Sequence, residues 1–286
     1  MRFLFLLCAL YAGTVGAQST AIYVSAHQDD WQLFMNPNAY YSIQNPDTKT
    51  IILHTTAGDA GVGMGKQDYA LSREKGSVAA AQFLAQIDTA RDSLLDKMTQ
   101  KKLVINGKSI LRYSIGNTHI YCLRLPDGNG TGVGYPLHAN KSLEKFYQKK
   151  VSRIHSIDST AFYTDIADLK KTLKDLIGLE HQGGNLDVHL ADTNPETHSG
   201  DHSDHQTSSK IVQDVVNEIG NATFYLYQNY STGEFPDNIN ETEEMLCAAT
   251  WGVTTACLAK NGHYATWDSV HNAWIGKQYF TTKKIP

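Results

Sequence analysis

The sequence predicts an α/β protein in which a mostly parallel sheet is flanked by helices, and three observations predict it. Short apolar runs rich in β-branched and aromatic residues recur along the chain. Each empties into a polar or glycine-bearing loop, and helical periodicity resumes after the loop. Strand, loop and helix in that order is the rhythm of a Rossmann-like sheet, whose reactive groups lie beyond the carboxyl ends of its strands.

The first such run is Ala21 to Ala26, a buried first strand that ends in the polar turn His27-Gln28-Asp29-Asp30. Thr50 to Thr55 repeats the pattern, ends in the glycine-rich loop Gly58 to Gly65, and is followed by helical spacing from Gln67 to Ile87. His119 to Leu125 reads as a third strand, with Pro126-Asp127-Gly128-Asn129-Gly130 as its exit turn. Ile166, Leu169, Leu173 and Leu176 give Ala161 to Ile177 a helical stripe, and Leu186 to Leu190 is a strand that opens into a polar loop. That loop starts a helix from about Asp204 to Ile219, with Ile211, Val212, Val215 and Val216 on one face, and Thr223 to Tyr227 is another strand. The tail, Glu243 to Lys260 and Trp267 to Phe280, reads as a helical extension without further strands.

With 286 residues, 41% hydrophobic and 19% charged, the chain has enough material for one large core. A net charge of -4 with scattered lysines leaves no basic stripe to neutralise phosphates, so nucleic acid is not an expected partner. Met1-Arg2, the apolar run Phe3 to Ala12 and the small residues before Gln18 read as a secretory signal peptide over residues 1–17, which leaves one domain over 18–286 and places the protein outside the cytoplasm. The run is too short to span a bilayer, so no membrane span is expected. Cys122, Cys247 and Cys257 remain after cleavage; Cys247 and Cys257 could pair or stand as separate thiols. Five Asn-x-Ser/Thr sequons stand at Asn129, Asn140, Asn221, Asn229 and Asn240.

Two polar clusters fall at strand ends: His27-x-Asp29-Asp30, and Asp201-His202-Ser203-Asp204-His205 at the start of a helix. One imidazole and one carboxylate from the first loop, with an imidazole from the second, make a three-ligand zinc site with an open position for water. Taken alone, a His-x-Asp-Asp turn is as well explained as a helix cap or a solvated strand end. The second cluster is harder to explain that way, because three imidazoles fall between His198 and His205.

Ser25-Ala26-His27-Gln28-Asp29-Asp30 resembles the Ala-His-Pro-Asp-Asp-Glu signature of the PIG-L/LmbE-like zinc-dependent N-deacetylases, and His202-Ser203-Asp204-His205 resembles that family's later His-Pro-Asp-His. Arg73-Glu74 and Leu125-Pro126-Asp127-Gly128 extend the similarity, which covers roughly Ala21 to Ile219. The resemblance implies His27, Asp30 and His205 as zinc ligands and Asp29 as general base. It implies His202 as oxyanion donor or acid, Asp204 as the group orienting a histidine, and Arg73 and Asp127 as contacts to sugar hydroxyls. The implied reaction is hydrolysis of the acetamide of an N-acetylglucosamine-type sugar or glycoconjugate, releasing acetate.

The sequence departs from the pattern at Gln28 for the family's Pro, at Trp31 for its Glu, and at Gly200 where some relatives carry Tyr, with His198 a candidate to take over from that side. Arg91 to Asn117 and the C-terminal helices have no counterpart in the pattern. Two competing readings follow: a zinc amidase acting on peptides or small amides, and a carbohydrate-binding relative without activity. The glycine-rich loop lacks both the Gly-x-Gly-x-x-Gly spacing and a following Lys-Ser/Thr, so it reads as a rim of the cleft and not as a nucleotide site. Tyr225, Tyr227 and Tyr230 read as strand residues packed on the core.

Overall fold

The computed structural model describes residues 18–63, 69–87, 97–198 and 200–286. The expected signal peptide and the end of the glycine-rich loop, Met64 and Gly65, lie outside them. In chain order the elements are β1 (Ser19–Ser25), α1 (Asp30–Leu33), α2 (Asn38–Gln44), β2 (Thr48–Thr56), α3 (Tyr69–Gln86), β3 (Thr99–Ile105), β4 (Lys108–Ile115) and β5 (Thr118–Leu125). They continue with α4 (Leu143–Tyr147), β6 (Ile154–His155), β7 (Phe162–Tyr163), α5 (Ile166–Glu180), β8 (Leu186–Ala191), α6 (Ser203–Ile219), β9 (Ala222–Tyr227), α7 (Glu241–Lys260), α8 (Ser269–Asn272) and β10 (Phe280–Ile285).

Eight strands form one sheet in the order β10-β9-β8-β1-β2-β5-β4-β3. The five from β9 to β5 run parallel; β10 pairs antiparallel with β9 at one edge, and at the other β4 pairs antiparallel with β5 and β3 with β4. The expected α/β class with a mostly parallel sheet is thus the observed one. Alternation along β1 builds two cores: Ile22 and Val24 face α4, α5 and α6, whereas Ala21 and Tyr23 face α1, α2, α3 and α7. The chain leaves β1 toward β2 and returns through β8 on the other side, so strand order reverses at β1. A crevice opens at such a point beyond the strand ends.

Two sequence expectations about the tail are corrected, and the alternative left open for Cys247 and Cys257 is decided. The segment Trp267 to Phe280 is not a helix: Asp268 caps α8 through Val270 N and His271 N, but the helix is only four residues long and the chain then runs irregularly into β10. The tail therefore does contain a strand, paired antiparallel with β9 from Phe280↔Tyr227 to Ile285↔Ala222. Cys247 and Cys257 are free thiols, because both lie on α7 ten residues apart, about 15 Å along the axis, where disulfide geometry cannot be met. Among the described residues no helix is long and apolar enough to cross a membrane.

Candidate metal centre and active site

The turn after β1 is folded by its own side chains. Ser25 Oγ bonds the His27 carbonyl and accepts from Trp31 N at 3.4 Å, and His27 N donates to Asp30 Oδ2 at 2.8 Å. That last bond occupies one oxygen of Asp30 and leaves Oδ1 toward the crevice. Asp29 stands at the N-cap of α1 without capping it, so its carboxylate is available to the cavity it lines.

The loop that enters α6 brings the second cluster to the same place. His205 Nε2 lies 3.2 Å from His27 Nδ1 and 3.1 Å from Asp30 Oδ1, and the third edge, His27 Nδ1 to Asp30 Oδ1, is 3.7 Å. Ligands at about 2.05 Å from a tetrahedral zinc ion are separated by about 3.3 Å, so this triangle has the size the ion requires. Each ligand is also held from behind. His205 Nδ1 is 2.7 Å from Asp201 Oδ1, and His27 Nε2 is 3.3 Å from Asp204 Oδ2, which fixes the tautomers that turn Nε2 of His205 and Nδ1 of His27 toward one point. All three candidate ligands are buried. The donor set fits a divalent cation of the zinc type.

Asp204 also accepts from Gly128 N at 2.8 Å, which ties the β5 exit loop to α6. A Cβ on Gly128 would sit 2.4 Å from Asp204 Oδ1, so glycine is required there for close approach. His202 is the N-cap of α6, and its Nδ1 accepts from Asp204 N at 3.1 Å. The proton of the neutral ring is therefore on Nε2, on the cavity side. Burial pushes the His202 pKa down to about 3.

Arg73, expected at the sugar, is engaged by protein: Nη2 donates to Asp29 Oδ1 at 2.5 Å and Nη1 to the Gly58 carbonyl at 2.7 Å. Asp127 accepts from Ala60 N at 3.1 Å and Asn129 N at 2.9 Å, so it joins the glycine-rich loop to the β5 exit. Both still line a cavity of about 290 Å³ together with His27, Asp29, Asp30 and His202. The glycine-rich loop is a rim, as expected, and is pinned by Asp59, which takes Gly63 N and His138 Nε2, both at 2.7 Å. Trp31, in place of an acid, is a core residue whose indole donates to Ser77 Oγ at 2.8 Å.

No family model matches the sequence, and no curated protein matches it. Among solved structures the chain is similar to N,N'-diacetylchitobiose deacetylase from Pyrococcus horikoshii, with a TM-score of 0.44 and 15% identity over 85% of this chain and 70% of that one. The residue roles rest on the geometry of this chain.

Several residues to which the sequence reading gives no role in the site belong to it. Asp201 and Asn229 stand behind His205, with Asn229 Nδ2 donating to Asp201 Oδ2 at 3.4 Å; Asn229 is 1% exposed, so its sequon is closed to modification in the folded chain. The i, i+4 spacing of Asp201 and His205 at a helix start was the available signal. Tyr230 belongs to no strand: its ring stands edge-on to His205 at 5.1 Å and stacks on Trp274 at 5.0 Å. Tyr225 and Tyr227 do belong to β9, as expected. His198 does not line the cavity, whereas Tyr230 does.

Proposed function

We propose that the protein is a zinc-dependent de-N-acetylase that hydrolyses the acetamide of an N-acetylglucosamine-type sugar outside the cytoplasm. The observation that carries this reading is the triangle of His27 Nδ1, Asp30 Oδ1 and His205 Nε2, each backed by a fixed partner, with His27 and Asp30 lining one cavity. When bound there, zinc supplies Lewis acidity that polarises a carbonyl and acidifies water. The protein supplies the rest. Arg73 holds Oδ1 of Asp29, which leaves the other oxygen to take the proton of the attacking water. As water adds to the acetamide carbon, His202 Nε2–H donates to the carbonyl oxygen that gains charge; a neutral donor suits this role better than proton release does. The C–N bond then breaks, Asp29 returns its proton to the nitrogen, and acetate and a free amine leave.

The Arg73–Asp29 pair favours keeping a second reading, a zinc amidase, because one of the two groups expected to grip sugar hydroxyls is spent on the base. The test is amine release across acetylated sugars and acetylated amino acids, with metal content measured in parallel. Activity should vanish with a chelator and return with zinc, and His205→Ala should lower metal content. Turnover by demonstrably metal-free protein refutes the mechanism, and a preference for acetylated amino acids moves the assignment to the amidase.

A further inference from the structure

His27 presents two ring nitrogens, and the candidate metal triangle uses one of them. Nδ1 faces Asp30 and His205, while Nε2 lies 3.3 Å from Asp204 Oδ2 on the other side of the ring. A second group with metal-ligating chemistry stands around Nε2. His27, Asp127, His202 and Asp204 each offer one donor atom, and the four atoms lie within 4.8 Å of one another. His202 Nε2 is 3.9 Å from Asp127 Oδ1, and the His27 and His202 rings meet edge to face with centroids 4.5 Å apart.

Two observations set this group apart from an ordinary hydrogen-bonded cluster. Asp127 and Asp204 are 5% and 0% exposed, yet among the described residues no lysine or arginine pairs with either, and histidines are their only basic neighbours. Asp204 Oδ1 is also buried and has no hydrogen-bond partner. Buried carboxylates are ordinarily paired or bound to a metal, and an orphaned carboxylate oxygen calls for a cation. Two imidazoles with two carboxylates suit zinc, cobalt or nickel; calcium and magnesium take oxygen ligands.

We propose that His27, Asp127, His202 and Asp204 form a second, weaker divalent-cation site that shares the His27 ring with the first and silences turnover when it fills. Only the silencing rests on the deacetylase reading. The order of filling follows from the geometry. The first triangle has edges of 3.1 to 3.7 Å, near the separation a tetrahedral ion needs, whereas the wider second group must close before it can ligate. The second site also breaks bonds that the first leaves intact. His202 moves its proton from Nε2 to Nδ1 to free Nε2 as a ligand, which ends the helix-cap bond from Asp204 N. The Nε2 proton of His27 leaves to solvent as the Nε2–metal bond forms, so the ring bridges two ions as imidazolate and one proton is released per second ion. The N–H that His202 offers to the developing oxyanion is then gone, and hydrolysis loses its donor.

Equilibrium dialysis of the full protein against buffered free zinc, and separately against cobalt, counts the bound ions, and kcat on acetylated substrates is read at the same free-metal levels. Bound metal should rise in two steps, to one ion and then to two, with the second at least about tenfold weaker, on the order of what one helix-cap bond is worth. Turnover should peak at one ion and fall about a hundredfold as the second binds, as it does when an oxyanion donor is removed. Asp127→Asn and His202→Gln should each abolish the second step and keep the first. One ion at every free-metal level, a second step intact in both variants, or loss of both steps in both variants overturns the site, and a second ion that leaves turnover unchanged overturns its silencing role. Two steps without turnover of any acetylated substrate would keep the site and remove the deacetylase reading.

Discussion

Two neighbouring carboxylates, Asp29 and Asp30, do different work because different atoms restrain them. Asp30 gives one oxygen to His27 N and turns the other toward His205 Nε2, while Asp29 gives one oxygen to Arg73 and lines the cavity with the rest. Replacing the base should spare the metal, and replacing the ligand should not. Asp29→Asn is therefore expected to retain zinc and lose turnover by at least about a hundredfold, the low end of what a positioned base contributes, whereas Asp30→Asn loses zinc. Arg73→Ala should lower kcat with KM little changed, since its guanidinium acts through Asp29; a loss confined to KM would return Arg73 to the role of a sugar contact. The residues of the candidate metal triangle were legible in sequence because the motif carries them. Asn229 and Trp274 were not, because nothing in their own stretch of sequence marks what they touch, and Asp201 showed only in its spacing from His205.

At the level of elements, helix α7 matters more than its amphipathicity suggests, since it presents Trp251, Thr254 and Leu258 to the cavity while packing along α3. The two helices approach at Gly76, where an added Cβ would lie 2.9 Å from Thr254 Cγ2 and 3.2 Å from Thr254 Cα and O. Backbone cannot yield there as a flexible side chain can. Gly76→Leu should destabilise the fold by about 1–3 kcal/mol through overpacking and should also cut turnover by moving the α7 wall, with zinc content retained. Chemical denaturation and metal analysis check this; wild-type stability in Gly76→Leu would mean that α7 is not seated as described. Other elements show what pattern reading reaches and where it stops. The parallel strands β1, β2, β5, β8 and β9 are buried apolar runs and were legible. The hairpin of β3 and β4 carries its own signal in Asn106–Gly107, both at positive φ, but its first strand is mostly exposed and so lacks the apolar contrast that marks the others. Strand β10 is exposed at every position but Ile285, and its place is set by pairing with β9 and not by its own hydrophobicity.

Across the whole molecule, the sheet separates two buried polar assemblies, with the candidate metal centre beyond the carboxyl ends of the strands and Glu180 near their amino ends. Glu180 ends α5 and is 3% exposed, yet it accepts from Tyr121 Oη, from His119 Nδ1 at 2.9 Å and from Arg112 Nη1 at 3.4 Å, and pairs with Lys49 Nζ at 3.1 Å. One carboxylate thus fastens a helix to β2, β4 and β5. Burial alone would raise its pKa, but the bonds from His119 and Tyr121 and the charges of His119 and Lys49 overcome this and hold it at about 2, against an ordinary 4.5. A carboxylate depressed in the folded state stabilises above its unfolded pKa and loses that contribution as pH falls toward its folded one. The window here is about pH 5 down to pH 2, and the shift is worth on the order of 3 kcal/mol. Other groups also contribute to acid denaturation, so the informative quantity is the difference between wild type and Glu180→Gln. The variant should be less stable at pH 7, because the cations around position 180 lose their counter-charge, and the gap between the two proteins in chemical denaturation should narrow steadily as pH is lowered through that window. A gap independent of pH would mean that Glu180 contributes through packing and neutral hydrogen bonds, and that its charge does not help fasten α5 to the sheet.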